Sequence, residues 1–423
     1  MSSGMRRGFL LSTTHTGRGG PALGSRVTPK KIAEIKIPCH PENQPEEAPA
    51  KGETTDDMTH LVLTVVPPSS PLLPDPDMYS ALISFKTQKE KLLAIPGFPT
   101  SFTTPSPPVY RVQRAGGRFQ GLGMFATQEV HIGDLIVRER ALLITTQYVP
   151  PGPDGRPNIH AFDVAVHQQM SAPRRAMYLA LSNIFPELPQ TLGILNTNSL
   201  YIGALPGYNG ACGGVFNDIS RINHSCRPNA VFWWDLQSFS GQIRALAPIR
   251  PGEQIFITYI DMWPTRTVRQ ATLLKKYRFR CACGACTLTG AYAQYSDLRR
   301  AFIAMQLGDD LDGSTTDADL LAWAGNPALP DTMLVNAAEL WLNWLLGERE
   351  MEERLSRVVF SRLCKAYAAL EDEEAVKKYA RQAAAYETAW TGSDGGWLAV
   401  AAAPQETAWW GLRRKARESN PSS

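Results

Sequence analysis

Cys226, set in the run Arg221-Ile-Asn-His-Ser-Cys-Arg-Pro-Asn229, is followed 55 residues later by the cluster Cys281-Ala-Cys283-Gly-Ala-Cys286. Four thiolates form the donor set of a closed tetrahedral zinc site, which is structural because no coordination position is left for a substrate. Three of the four sit in a C-x-C-x-x-C knuckle. The fourth must come from the preceding domain, so the metal would pin a C-terminal tail against it. Seven cysteines, an odd number with no evenly spaced framework, indicate a reducing compartment in which thiols bind metal.

Between the fourth thiol and the knuckle lies Gly252-Glu-Gln-Ile-Phe-Ile-Thr-Tyr259, an expected strand, followed by Ile260-Asp261. Far upstream, Gly121-Leu-Gly-Met-Phe-Ala126 is a glycine-hinged turn feeding a strand. Each piece alone has an ordinary reading: an Asn-His pair is usually structural, a Gly-x-Gly is usually a turn, and a strand tyrosine is usually core. Their order is far more specific. Taken together, Gly121 to Gly123, Asn223-His224-Ser225-Cys226, Pro228-Asn229, Tyr259 and the knuckle resemble the SET-domain protein lysine methyltransferases, over about Val109 to Thr287.

That resemblance implies S-adenosylmethionine as methyl donor and a protein or peptide lysine as acceptor. Methyl transfer from a sulfonium to an amine requires a cofactor pocket, an in-line approach and a neutral amine, and the donor brings its own leaving group. By resemblance, Asn223 and His224 bind the cofactor, and Gly121, Leu122 and Gly123 line its methionyl end. Tyr259 is then the catalytic residue, also facing the cofactor. A phenol with an ordinary pKa near 10 is a poor general base, so its role is to orient the methyl group and the amine. In the SMYD-like branch an aromatic pair at Tyr277 and Phe279 contacts the cofactor, where composition alone reads tail packing; Asn198 aligns with a further cofactor contact. Cys226, Cys281, Cys283 and Cys286 are the metal ligands.

Two departures stand out. No cysteine cluster between Val109 and Asn223 could form the zinc-binding MYND module, and there is no cysteine-rich segment before the domain. Both point to the MYND-lacking relatives common in fungi. The family's usual acidic residue after Glu253 is Gln254 here, with only a surface contact expected to change. Two functions remain: a protein-lysine N-methyltransferase acting on a histone or non-histone protein, and a catalytically silent SET fold serving as an interaction scaffold.

The elements that position these residues follow from pattern. Residues 1–108 are rich in Pro, Ser, Thr and Gly and are expected to be mostly disordered, with a short helix between Met78 and Leu93. Order is expected from Val109, in an α+β SET domain of small sheets over 109–262. A helical insertion interrupts it at about 158–190, with Phe162, Val166, Met170, Met177 and Leu181 facing inward. Residues 263–290 form the post-SET zinc segment, in which a helix capped by Thr265 repeats Val268, Ala271 and Leu274. The rest, 291–423, is helical and resembles tetratricopeptide-like packing, with Val359, Leu363, Ala366 and Leu370 on one helix and Val376, Tyr379, Ala380 and Ala383 on the next. Cys212 in its Gly-rich loop, Cys364 on an apolar stripe and Cys39 are given no role. Asp218 and Asp261 are expected to brace loops.

A net charge of +3, from 43 basic and 40 acidic residues, argues against nucleic acid as a direct ligand. No apolar run reaches the roughly 20 residues of a membrane span. A monomer in the nucleus and/or cytoplasm is expected. The alternative is mitochondrial, since Arg6, Arg7, Arg18 and Arg26 precede the first acid, Glu34.

Overall fold

The computed structural model describes residues 61–68, 78–116, 121–151, 158–308, 313–348 and 353–419. Cys39, the arginines of the transit-peptide reading and the rest of 1–60 lie outside them.

Order begins earlier than the expected Val109. Strands β1 (Leu61–Val66) and β2 (Ser80–Phe85) pair as an antiparallel hairpin, and helix α1 (Lys86–Leu93) follows directly. Leu82, Ile83 and Phe85, expected in a helix, are buried strand residues; only the Lys-rich half is helical. The run Ser-Ala-Leu-Ile-Ser-Phe is buried throughout because it lies inside a sheet, whereas its Pro-rich flanks suggested none of this.

Along the chain come β3 (Tyr110–Arg114), β4 (Leu122–Ala126), β5 (Leu135–Glu139) and β6 (Leu143–Thr146). The helical insertion holds α2 (Ile159–Val164), a π-turn at Ala165–Gln169, α3 (Ala172–Leu179) and α4 (Gln190–Asn198). It therefore runs past 190. Phe162, Val166, Met170 and Leu181 are buried as expected, but Met177 is exposed, since the π-turn and the break before α3 shift the helical phase.

Strands β7 (Leu200–Gly203) and β8 (Cys212–Val215) follow, so Cys212 belongs to a strand and not to a loop. Then come β9 (Asn223–His224), β10 (Ala230–Asp235), β11 (Ser240–Ala245) and β12 (Phe256–Ile257). The expected Gly252–Tyr259 strand thus shrinks to β12 and a single bridge from Gln254 to Phe125. The strands form one five-stranded sheet in the order β1-β2-β6-β8-β7, one three-stranded sheet β10-β11-β5, and the pairs β3-β4 and β9-β12.

The remaining helices are α5 (Arg266–Tyr277), α6 (Gly290–Gly308), α7 (Gly313–Gly325), α8 (Met333–Glu348), α9 (Glu353–Ala369), α10 (Glu373–Thr391), α11 (Trp397–Ala402) and α12 (Leu412–Ser419). Asp372 caps α10 by accepting from the Ala375 N–H, and the three-residue connection makes α9 and α10 antiparallel neighbours. Val359, Leu363, Ala366, Val376, Tyr379, Ala380 and Ala383 are all buried there. Helix α10 meets the β5 end of the domain at Gly133, whose φ of +89° no side chain adopts easily and where an added Cβ would stand 2.8 Å from the Ala385 carbonyl.

The segment that leads into Asn223 is fixed from below by Glu139. Its Oε1 accepts from the Asp218 and Ile219 N–H groups at 2.9 and 2.7 Å, while the Tyr110 hydroxyl donates to Asp218 at 2.6 Å. Burial, reinforced by the Asp218 charge, pushes the Glu139 carboxyl up to about 8. Between the ordinary carboxylate range and pH 8 the folded chain therefore holds a proton that the unfolded chain has lost, and stability falls as pH rises through that window. Glu139→Gln keeps the accepting oxygen and removes the charge. The variant is expected to match the wild type in thermal unfolding at pH 5 and to exceed it at pH 9; equal pH profiles for the two proteins would rule the effect out.

Candidate functional site

Segment 252–255 runs against β4: the Ala126 N–H donates to the Glu253 carbonyl at 2.9 Å and the Ile255 N–H to the Met124 carbonyl at 2.8 Å. This brings the glycine turn beside Gln254 and Asn223. Asn223 donates through Nδ2 to the Leu122 carbonyl at 3.0 Å. Gly121 has φ +86°, and at Gly123 an added Cβ would collide with the Gln254 amide and stand 3.0 Å from Asn223 Nδ2. The two glycines thus have different duties, one a left-handed turn and the other a close approach. Gln254 Nε2 is buried with no hydrogen-bond partner among the described residues. The expectation of a mere surface contact at Gln254 is corrected: its amide packs into the cradle next to Gly123.

Asn229 closes the same region from the other side. It donates to the Gln254 carbonyl at 3.0 Å and accepts from the Phe256 N–H at 2.7 Å, holding β12 parallel to β9. His224 is buried, and burial, the largest influence, lowers its imidazole to about 3. Its Nδ1 accepts from the Tyr259 N–H at 3.0 Å, which leaves the proton on Nε2, 3.3 Å from Cys226 Sγ. One neutral imidazole therefore joins the tyrosine's backbone to the cysteine cluster.

Tyr259 is buried, and its hydroxyl donates to the Ile222 carbonyl at 2.6 Å. The Tyr277 hydroxyl donates to the Tyr259 carbonyl at 3.1 Å. The rings of His224, Tyr259, Tyr277 and Phe279 form a closed circuit, with neighbouring centroids 5.3, 5.2, 6.5 and 6.2 Å apart. Such a group of faces suits a flat base and a cationic sulfonium alike. Tyr277 reaches it from the buried stripe Arg269–Leu273–Tyr277 of α5. The expected Val268 and Leu274 stripe is instead exposed, because a buried arginine, not an apolar residue, lies on the inner face. Asn198 is buried outside this network: its amide donates to the Ser182 and Ile194 carbonyls at 2.7 and 2.8 Å, ending α4.

The four cysteine sulfurs Cys226, Cys281, Cys283 and Cys286 are buried and lie within 4.8 Å of one another, with Cys226 and Cys286 3.6 Å apart and no disulfide between them. A tetrahedral zinc tetrathiolate with bonds of about 2.3 Å places its sulfurs about 3.8 Å apart, so the donor set fits such an ion. Gln270 of α5 clasps the knuckle, donating to the Cys281 carbonyl at 2.6 Å and accepting from its N–H at 3.0 Å. Cys364 is a buried core thiol, and Asp261 accepts from the Trp263 N–H, as a loop brace should.

A family model and curated relatives match parts of this chain. The model of the SET domain matches residues 121–260. The chain is 30% identical over 187 residues to the histone-lysine N-methyltransferase set5 of Schizosaccharomyces pombe, covering 44% of this chain and 53% of that protein. It is 31% identical over 113 residues to the bovine N-lysine methyltransferase SMYD2, covering 26% of this chain and 24% of that one. The chain thus spans about half, or less, of the curated relatives it matches. Among solved structures, the SET domain of LSMT bound to lysine and AdoHcy aligns at 11% identity and a TM-score of 0.28, covering 75% of this chain and 93% of that one. The described elements, with the SET match over 121–260, make a mixed α+β, SET-like fold with small sheets, inserted helices, a four-cysteine cluster able to bind metal and a C-terminal helical region.

Loss of one ligand should show in metal content and in the tail that carries the aromatics. Cys281→Ser is expected to lower bound zinc to well below one ion per chain by elemental analysis and to quicken proteolysis around residues 277–290. Unchanged metal content in the variant would remove Cys281 from the donor set.

Proposed function

We propose that the protein is an S-adenosylmethionine-dependent protein-lysine N-methyltransferase, with Tyr259 as its catalytic residue and Cys226, Cys281, Cys283 and Cys286 holding a structural zinc ion. The observation that carries the reading is that the adjacent residues Asn223 and His224 join two groups, the Gly121–Gly123 turn with Asn223 and a Gln254 Nε2 that has no hydrogen-bond partner among the described residues, and the ring circuit His224–Tyr259–Tyr277–Phe279. These groups fit a zwitterionic, aromatic cofactor: amide donors and carbonyls for its polar end, ring faces for its base and its sulfonium. Leu122 and Asn198 belong to the same proposed cofactor set, Leu122 through the carbonyl that already receives Asn223.

The bound cofactor supplies an electrophilic methyl group and its own leaving group. The protein's part is geometric and electrostatic. Tyr259 keeps its hydroxyl proton on the Ile222 carbonyl, so the oxygen is left to accept from a polarised methyl group or an amine, and its aim is fixed by that bond together with the His224 and Tyr277 contacts. The acceptor lysine would have to arrive as a neutral amine whose lone pair takes the methyl group while the sulfonium leaves as a thioether, and the resulting ammonium would return a proton to solvent.

The substrate is read as a lysine of a histone or other protein. Among the described residues no helix is long and apolar enough to cross a membrane. A monomer in the nucleus or cytoplasm, the MYND-lacking affiliation, the division at 109–262, 263–290 and 291–423, and tetratricopeptide-like packing of the last helices complete the proposal.

Calorimetric titration and a methylation assay on a lysate separate the parts. Tyr259→Phe is expected to bind S-adenosylmethionine within about threefold of wild type and to lose at least about 100-fold in turnover, as for removal of one oriented group at a developing charge. Asn223→Ala is expected to lose cofactor binding. A well-folded wild type that binds no cofactor would overturn the enzyme reading in favour of the scaffold.

A further inference from the structure

Beside the four cysteines, arginines outnumber the carboxylates that meet them among the described residues. Arg300 of α6 is wholly buried and donates to the Cys226 carbonyl at 3.1 Å and to the Met262 carbonyl at 2.6 Å, one contact on the fourth ligand's loop and one just beyond Tyr259. Arg269 of α5 is equally buried; it donates to the Pro264 carbonyl and lies 3.8 Å from Asp297, yet its Nε and Nη2 have no hydrogen-bond partner among the described residues. Glu348, the last residue of α8, has a side chain with no exposure. It accepts from Ser296 at 2.7 Å, Arg227 at 3.0 Å, Arg299 Nε at 2.8 Å and Arg300 at 3.2 Å.

Four guanidiniums, from Arg227, Arg269, Arg299 and Arg300, thus face two carboxylates, Asp297 and Glu348. Among these six residues the formal excess is two positive charges, and Arg269, though near Asp297, keeps two donors with no partner among the described residues. A divalent ion held by four thiolates carries two negative charges, and in a water-poor surrounding that charge must be met by nearby cations.

We propose that Arg269 and Arg300 are the counter-ions of the metal-loaded tetrathiolate, and that Glu348, by seating Arg300, makes metal retention depend on the C-terminal helical region. The proposal rests on reading the four cysteines as a metal site. It assigns positioning roles to residues outside the ligand set: Arg300 holds the Cys226 loop and the Met262 turn at one spacing, so loss of metal, of Arg300 or of its seat would be felt at Tyr259.

The test uses the full chain loaded with one equivalent of Zn²⁺, with release timed by an excess of a chromogenic chelator. Arg300→Met is expected to release zinc about 10–100-fold faster than wild type, the range for loss of an outer partner of a metal site, and Arg300→Lys, which keeps the charge, to recover most of the difference. Arg269→Met should accelerate release as well, and stands in if Arg300→Met does not fold. Arg413→Met is the control: Arg413 is just as buried, but bonds Asp331 and the Trp323, Asn326 and Leu329 carbonyls. It should lower the melting temperature and leave the release rate unchanged. Wild-type release from Arg300→Met or Arg269→Met, or equal acceleration by Arg413→Met, would overturn the proposal. A wild type that takes up no zinc would instead overturn the metal site itself.

Discussion

Four thiols brought together in the interior are a liability unless a cation joins them, and the architecture around residues 223–286 is organised by that constraint. With thiols alone, protons must be shared within the cluster: hydrogen bonding to its neighbours drives Cys226 up and Cys283 down. A divalent ion would remove the conflict by turning all four into ligands, and would tie the loop after His224 to a segment 55 residues further on. The tail carrying Tyr277 and Phe279 is also held by the Tyr277 hydroxyl on the Tyr259 carbonyl and by Arg278 over the Phe185 ring. Its approach is set by α5, whose inner face presents Arg269, Leu273 and Tyr277, and by the Gln270 clasp on Cys281.

His224 carries the consequence to the chemistry. Because its Nδ1 is used by the Tyr259 N–H, its Nε2 proton is directed at Cys226, and a metal-bound thiolate is the better acceptor for it. Asn223, next in sequence, bonds the Leu122 carbonyl. Adjacent residues on a two-residue strand thus face different groups, one side chain turned to the Gly121–Gly123 turn and the other to the cysteine cluster, as alternation along a strand requires. The scaffold below them is rigid for ordinary reasons: Asn229 pins β12, Glu139 caps the Asp218 turn, and the surrounding strands are buried.

The candidate site was legible to an unusual degree because its residues are marked by type. Cysteine spacing, Asn-His, Gly-x-Gly and a terminal strand tyrosine each restrict what the chain can do, and the structure brings together Gly123, Asn223, His224, Tyr259, Tyr277 and Phe279. Asn198 was found by analogy of sequence only, and its amide is engaged by the end of α4. What escaped was polar and non-local. Gln254 looked like a surface substitution because nothing in Gly-Glu-Gln-Ile shows that segment 252–255 lies against β4. Arg269, Arg300 and Glu348 are not singled out by any pattern in the sequence, since periodicity assigns charge outward by default. The β1–β2 hairpin was hidden by its Pro-rich surroundings, and the stripe of α5 was misjudged for the same reason as Arg269.

The amino-acid sequence by itself determined the chemistry that is possible here: which atoms can ligate metal, where a backbone can approach without a Cβ, and which hydroxyl and rings are available to a methyl group. These are properties of side-chain type and short spacing, so they survive without coordinates. Only the tertiary structure decided which of those groups meet, that one imidazole bridges tyrosine and thiol, and that a carboxylate from the C-terminal region reaches the metal loop through Arg300. Contacts over such separations depend on how layers pack and on where buried charge finds its opposite, and no local pattern in the chain encodes either.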